Sequence, residues 1–392
     1  MARIFDIKLA KKAFVVVFVT ALCGFRVFAK GGFDDDIDRS DPKFVTASLL
    51  LSSPGNELFS CAGHAFIRME CPTFKLDTCY SYESEAPSSR LLTFFAGRLM
   101  MGMFAVPTEE FLEEYRRDGR GVRQYVLNLP PEVKQRLWKV LDERVAQGAN
   151  LPYDYIKRGC AWSVMQCFFD AAGRETLKEG PWPEKYKGHQ REIIAAAIED
   201  SPWAAFFIHA IVGSDVDHDI SNIRKVVIPA DFLEYLKAAT IDGRPVVEGD
   251  GSELLPVRQT FPRPSVTPFG VAWLLVFAAV VNLFLKRKVL DMFFLSVQAL
   301  SGLFFVYLVG LSSLPATTWN WLLVPFNPLP LVFWRWRRHW APGFILTLAV
   351  WEAFMLFSPH ALTDAAYCVL GLAYIVFYAK FVGINGHDLA DK

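Results

Sequence analysis

PFGVAWLLVFAAVVNLFL, residues 268–285, carries no charged side chain and is closed by Lys286, Arg287 and Lys288. A helix rises about 1.5 Å per residue, so this run is long enough to cross a hydrocarbon core of about 30 Å. Further apolar runs at about 291–313, 318–334, 341–358 and 361–383 bring the candidate spans to five. Basic clusters fall at 286–288 and at Arg335, Arg337 and Arg338. Placing both in the cytoplasm puts residues 30–267 outside and the C-terminus inside, which requires an odd number of crossings. The run 318–334 contains Pro325, Pro328 and Pro330, each lacking a backbone donor, so it reads as a re-entrant or broken helix. Glu352 falls in the middle of a span, where an acid is either a functional group or a helix-packing contact.

Working outward, the other end of the chain looks like an export signal. Lys8, Lys11 and Lys12 precede the apolar run Ala13–Phe25, and Val27-Phe28-Ala29 offers small residues where a signal peptidase reads. The expected organisation is a signal or N-terminal membrane segment over 1–29 and an exported domain over 30–241. A Pro-rich linker over 242–267, a membrane domain over 268–383 and a cytoplasmic tail over 384–392 follow. The 392 residues are 53% hydrophobic and 15% aromatic, yet 41 basic and 41 acidic residues cancel. Zero net charge gives no reason to expect a nucleic-acid partner.

In the exported segment, Phe44–Leu51, the stretch from His64 and the stretch from Cys79 read as strands, and Val122–Leu129 as another. Apolar residues recur at helical spacing over Glu109–Arg117 and over Glu132–Gln147, where Pro130-Pro131 supplies a start. A third helix is expected from Cys160, with Val164, Cys167 and Phe168 on one face and Gly173 near its end. Residues 181–221 read as a Trp-rich loop, followed by a strand at Lys225–Pro229 and a helix at Asp231–Ala239. The fold class is therefore α+β, followed by an all-α transmembrane bundle.

Of 7 cysteines, Cys61, Cys71, Cys79, Cys160 and Cys167 fall in the exported domain, an odd number in an oxidising compartment. Cys71 and Cys79 could close a hairpin loop. Cys160 and Cys167 stand two helical turns apart, on the order of 10 Å, too far to bridge. Cys160 follows Arg158 and Gly159 at a predicted helix N-terminus, where main-chain N–H groups and the helix dipole favour a thiolate. His64, which follows Gly63 and opens a strand, is its natural proton partner. His189, His209 and His218 lack metal-ligand spacing, although His209, Asp215 and His218 could gather round a cation if they are more than a surface loop. Phosphate-binding glycine loops and serine elbows are missing, so neither a cofactor nor a metal is expected.

Several stretches together resemble one known family. They are Ser53-Pro-Gly-Asn-Glu-Leu-Phe-Ser60 running on to Gly63-His64-Ala-Phe-Ile-Arg68, and Tyr153-Asp154-Tyr155 ahead of Cys160. Gly213-Ser-Asp-Val-Asp217, Ile228-Pro229, Asn320 and Asn327-Pro328-Leu329 continue the pattern. The chain resembles the Lnb-type lipoprotein N-acyltransferases, whose exported domain is similar to permuted papain-like enzymes of the NlpC type. In that permuted order the histidine precedes the cysteine, as His64 precedes Cys160 here. The resemblance implies Cys160 as nucleophile and His64 as general base and acid. Glu57, Ser60 and Tyr155 are candidates for orienting or positioning, with structural turn roles equally open to Glu57 and Ser60. Asn327 joins Glu352 as an intramembrane candidate. Where the family tends to have Asn before the cysteine and small hydroxyl residues after it, this chain has Gly159, Ala161 and Trp162.

The implied reaction moves an acyl chain from a membrane phospholipid through a thioester to the amine of a diacylglyceryl lipoprotein. The implied location is the bacterial inner membrane, with a periplasmic N-terminal domain. Rival expectations are a membrane-tethered cysteine hydrolase and a non-enzymatic envelope assembly protein.

Overall fold

A computed structural model of the chain describes residues 39–55, 59–84, 90–154, 159–173, 176–181, 190–198, 200–217, 228–259, 264–357 and 365–382. The export signal, Glu57, Tyr155, His189, His218, most of the strand expected at 225–229, and the tail lie outside the described residues. Met1–Phe44 make one unit and Val45–Lys392 a second. In the first, the Phe44 N–H closes a turn on the Asp41 carbonyl at 2.9 Å.

The second unit begins with β1 (Thr46–Ser52), β2 (His64–Cys71), β3 (Leu76–Ser84), α1 (Leu91–Phe95), β4 (Met100–Pro107) and α2 (Thr108–Arg117). Next come β5 (Val122–Val126), α3 (Pro131–Gln147), β6 (Leu151–Pro152), α4 (Cys160–Ala172) and β7 (Leu177–Lys178). The N-terminal domain ends with α5 (Gln190–Ala197), α6 (Pro202–Ile211), α7 (Pro229–Ala238), β8 (Thr240–Ile241), β9 (Arg244–Pro245) and β10 (Ser252–Leu255). Seven strands form one antiparallel sheet in the order β10-β5-β1-β2-β3-β4-β6.

Helices cover both faces of this sheet, which explains why Ala47–Leu50 are buried in succession rather than alternately. On one face Phe66 packs its ring against Phe111 and Tyr115 of α2, with centroids 4.7 and 5.6 Å apart. On the other face the Tyr82 hydroxyl reaches Cys167 of α4 at 3.8 Å. The α+β class expected of this domain holds.

Three expectations are corrected. Within the supposed loop, Gln190–Ala197 form α5 and Pro202–Ile211 form α6; α6 (PWAAFFIHAI) is apolar on nearly all sides, so no helical period marks it. His209 is buried on α6 and not on a surface loop, and burial pushes its imidazole down to about 3. The supposed linker contributes β10, which extends the sheet edge beyond β5.

Cys71 and Cys79 are both free. Cys71 pairs with Leu76 and Cys79 with Arg68 across β2 and β3. Three positions separate Leu76 from Cys79, and side chains alternate faces along a strand, so the two sulfurs project to opposite sides of the sheet.

Among the described residues, the C-terminal bundle holds four helices long and apolar enough to cross a membrane, over 268–285, 288–310, 334–357 and 365–382. They are α8 (Pro268–Leu285), α9 (Lys288–Gly310), α11 (Arg337–Phe357) and α12 (Ala365–Val382), with a four-residue α10 (Leu329–Val332) between α9 and α11. The Thr267 hydroxyl caps α8 by accepting the Gly270 N–H at 3.1 Å. At the far end of the bundle, Lys380 of α12 pairs with Asp291 of α9 at 2.6 Å, and Asn282 of α8 donates to the same carboxylate at 2.7 Å.

The fifth candidate, 318–334, is not a helix. Its prolines leave only short turns at Trp321–Leu323, α10 and Trp334–Trp336. Amide side chains meet its exposed backbone: Gln298 donates to the Pro325 carbonyl at 2.8 Å, and Asn327 both donates to Val324 O and accepts from the Leu329 N–H. Such irregular backbone is tolerated at membrane depth only inside protein. The segment begins beside the N-terminal domain. It ends with Trp334 stacked on Phe377 and edge-on to Phe381, near the Lys380–Asp291 pair. The chain thus passes between the two ends of the bundle five times, four times as helix and once in broken form.

The N-terminal domain and the bundle share one apolar cluster in which Phe94, Leu99, Ala210 and Ile211 pack with Ala272, Leu308, Leu314 and Tyr367. Residues 312–320 clamp the junction. The Ser313 N–H donates to Ala96 O at 3.2 Å, the Gly213 N–H to Ala316 O at 2.6 Å, the Ser214 N–H to Thr318 O at 3.1 Å, and Asn320 to Ala210 O at 2.7 Å. Ala316 and Trp319 take left-handed φ of 60° and 53°, a conformation costing about 1–2 kcal/mol outside glycine and sustained by the surrounding bonds. Arg191 fastens the opposite side, donating to Gly213 O at 2.7 Å and pairing with Asp217 at 2.5 Å. A Cβ on Gly213 would overlap the Thr318 carbonyl oxygen. Gly213→Ala is therefore expected to destabilise the protein by about 1–3 kcal/mol in thermal unfolding of the detergent-solubilised chain. Gly343→Ala, in an open stretch of α11, should leave the transition unchanged or raise it.

Candidate active site

The site grows from two places, the chain reversal ahead of β2 and the start of α4. Ser60 closes the first, its carbonyl accepting the Gly55 and Gly63 N–H groups at 2.8 and 2.9 Å. Gly63 then takes φ +81°, and a Cβ there would press on the Ser52 carbonyl, so the residue before the histidine is restricted to glycine. The chain enters β2 with His64 as its first residue. Its Nε2 lies 2.7 Å from the Ser81 Oγ of β3, and its ring stacks on Phe66 with centroids 5.9 Å apart.

At the second, the Gly159 carbonyl accepts the Ser163 N–H as the first bond of α4. Cys160 is the first helical residue and is half-buried. Main-chain N–H groups of Ala65, Ala161 and Cys160 itself lie within hydrogen-bonding reach of its sulfur.

His64 and Cys160 border one cavity of about 240 Å3, together with Ser60, Glu83, Glu114, Tyr115 and Arg120. Arg120 is fixed at the rim, donating to Ser52 Oγ at 2.7 Å and Ser53 O at 2.9 Å, with its guanidinium 4.8 Å from the centre of the Tyr115 ring. A second cavity of about 100 Å3 meets the first at Phe59, Gly63, Tyr153 and Cys160. Its far walls are isoleucines of α5 and α6.

Electrostatics set the resting protonation of the two central groups. Burial pushes the His64 imidazole below its ordinary 6.5; Glu83 opposes this and Arg120 adds to it. Burial also raises the Cys160 thiol above 9.0, against the pull of the three main-chain N–H groups. The expected helix-terminus stabilisation of a thiolate is present, but desolvation outweighs it. Thiol and imidazole therefore both rest neutral. The thiols of Cys61 and Cys79 are pushed up by burial to about 11 and about 12, and neither borders the larger cavity.

The other sequence candidates fall in several places. Ser60 reaches the cavity, whereas Glu57 and Tyr155 lie outside the described residues. Glu352 stands between α11 and α12 beside Gly371, accepting a hydrogen bond from Cys368, and Asn327 caps α10; neither borders either cavity. Ser81 is the residue that sequence reasoning missed. In Cys79-Tyr-Ser-Tyr it is one serine among aromatics, and only the pairing of Ile67 with Tyr80 brings it beside His64.

Residues 33–187 match a family model described as the Lnb N-terminal periplasmic domain. No curated protein and no solved structure matches the chain. The matched segment contains His64, Ser81 and Cys160. A periplasmic domain followed by four helices able to cross a bilayer fits a membrane protein whose N-terminal part lies in the periplasm. Residues 33–187 therefore carry an Lnb N-terminal periplasmic domain.

Proposed function

We propose that this protein is a membrane-bound acyltransferase that moves a fatty acyl chain from a phospholipid to the N-terminal amine of diacylglyceryl lipoproteins. The reading includes a permuted papain-like arrangement of the domain, with the histidine strand ahead of the cysteine helix. It also includes a multi-pass location in the inner membrane with the C-terminus in the cytoplasm. The observation that carries it is the shared cavity of His64 and Cys160, in an Lnb domain clamped onto apolar helices.

With Nε2 engaged by Ser81, Nδ1 is the ring nitrogen left to exchange a proton with the thiol. His64 takes the Cys160 proton as the sulfur attacks the ester carbonyl; a C–S bond forms, and the ester C–O bond breaks. The leaving alkoxide receives that proton from His64 and departs as lysophospholipid. The lipoprotein amine then attacks the thioester, a C–N bond replaces C–S, and His64 accepts the amine proton and returns it to sulfur. In this scheme the N–H groups at the start of α4 are the donors offered to the carbonyl oxygen as charge develops on it. Mounting the thiol on the bundle keeps both lipid-anchored substrates at high local concentration.

Ser81 is a positioning residue in this scheme. Ser81→Ala is expected to lower the rate about 10-fold and move the acid limb of the pH profile, while Ser81→Thr restores much of both. Mass spectrometry of lipoprotein N-terminal peptides, from cells whose only copy is the wild type or Cys160→Ser, tests the whole reading. Loss of the N-linked acyl chain in the variant supports transfer. Unchanged N-acylation overturns it, and altered peptidoglycan cross-links with unchanged lipoproteins would instead mark a hydrolase.

A further inference from the structure

The smaller cavity has a lining suited to one chemical class. Ile194 belongs to α5 and Ile198 follows its end, Ile208 and Ile211 belong to α6, Ile228 stands at the start of α7, and Phe94 also lines the cavity. Cys160 stands on its wall and also on the wall of the polar cavity. The thiol is thus the boundary between a polar chamber containing His64, Glu83 and Arg120 and an aliphatic one without a charged side chain.

The position of α6 shows what lies beyond. Phe206 stacks on Tyr367 of α12 at 4.5 Å, Trp203 donates to the Val266 carbonyl just ahead of α8 at 2.8 Å, and Phe207 is half exposed. One helix therefore walls the aliphatic chamber and also rests on the ends of the candidate membrane spans.

We propose that the aliphatic chamber is an acyl site, holding the first carbons of a fatty acyl chain while its carbonyl is attacked by, or bonded to, Cys160. This rests on the acyl-transfer reading and specifies where the chain goes. About 100 Å3 accommodates roughly four carbons, on the scale where a 150 Å3 cavity takes up benzene. The remainder of a long chain leaves along α6 towards the bilayer. Esters longer than this chamber gain apolar contact that an acetyl group cannot, and filling the chamber removes that gain alone.

The test uses the full-length protein in detergent with p-nitrophenyl acetate and p-nitrophenyl octanoate, reading acylation of Cys160 by peptide mass spectrometry. Ile208→Trp, which fills the chamber, should slow octanoyl labelling roughly 10- to 100-fold, the equivalent of a few buried methylenes, and leave acetyl labelling within about 2-fold. Equal slowing of both, or slowing of neither, overturns the acyl site. If Ile208→Trp loses acetyl labelling through misfolding, Ile198→Trp, which also lines the chamber, is judged by the same two outcomes. If neither ester labels wild-type Cys160, the acyl-transfer reading itself fails and the site with it, a result distinct from acetyl labelling without chain discrimination.

Discussion

Cys160→Ser is expected to reduce lipoprotein N-acylation by about 10^4-fold or more, the scale on which removal of a nucleophile falls in enzymes of this chemistry. The hydroxyl is isosteric enough to keep α4 and its packing, so thermal unfolding should be nearly unchanged. A serine hydroxyl beside a single imidazole is a far weaker nucleophile than a thiol. The other cysteines offer no substitute, because Cys61, Cys79 and Cys167 are buried with raised thiol pKa values and do not border the cavity that contains His64. Transfer in vesicles containing a diacylated lipopeptide measures the effect. Retention of a tenth of the wild-type rate would contradict the nucleophile assignment.

His64→Ala is expected to lower the rate by about 10^2- to 10^4-fold and to change its pH dependence. The sign follows from the resting protonation. The imidazole is shifted below 6.5 and the thiol above 9.0, so between those values both groups are neutral and the imidazole can act as base. Wild-type kcat/KM should rise as pH increases through a midpoint below 6.5, then stay flat across neutral pH. In His64→Ala the acid limb disappears, and the remaining rate should keep climbing towards the thiol pKa as solvent deprotonates the sulfur. A preformed thiolate–imidazolium pair would behave differently: its wild-type rate would fall as the imidazolium lost its proton above neutral pH.

Local chemistry made much of this readable from the chain alone. His64 opening a strand after a glycine, Cys160 opening a helix, and the helices at 108–117 and 131–147 all follow from residue spacing and from turn and cap signals within about ten residues. Hydropathy likewise marked the four long apolar helices. Pairing over long separations could not be read. Ser81 reaches His64 through strand register, and the faces of Cys71 and Cys79 follow from that same register. Gly213 meets Thr318 across more than a hundred residues of intervening chain, so neither segment hints locally at the other. Residues 242–267 look like a linker by proline content, yet Ser252–Leu255 finds a sheet edge beside β5. The desolvation that outweighs the helix N-terminus at Cys160 also depends on what packs around it.

Some resemblance residues acquire structural explanations. Gly213 and Asp217 are held by Arg191 at the junction, and Asn320 bonds the Ala210 carbonyl. These residues mount the thiol domain on the bundle. Trp side chains, which suit a membrane–water interface, stand at both ends of the bundle. Trp319 and Trp321 lie beside the N-terminal domain, while Trp334, Trp336 and Trp340 gather near the other end of α12.

The most direct measurement is the covalent state of residue 160. Full-length protein in vesicles of a palmitoyl-bearing phospholipid, without acceptor, is digested and its cysteine peptides weighed. A palmitoyl group on Cys160 that is released by hydroxylamine and consumed when a diacylated lipopeptide is added is the predicted result. Acyl transfer proceeding at the wild-type rate with Cys160 unacylated, or with the acyl group on another residue, would contradict the account.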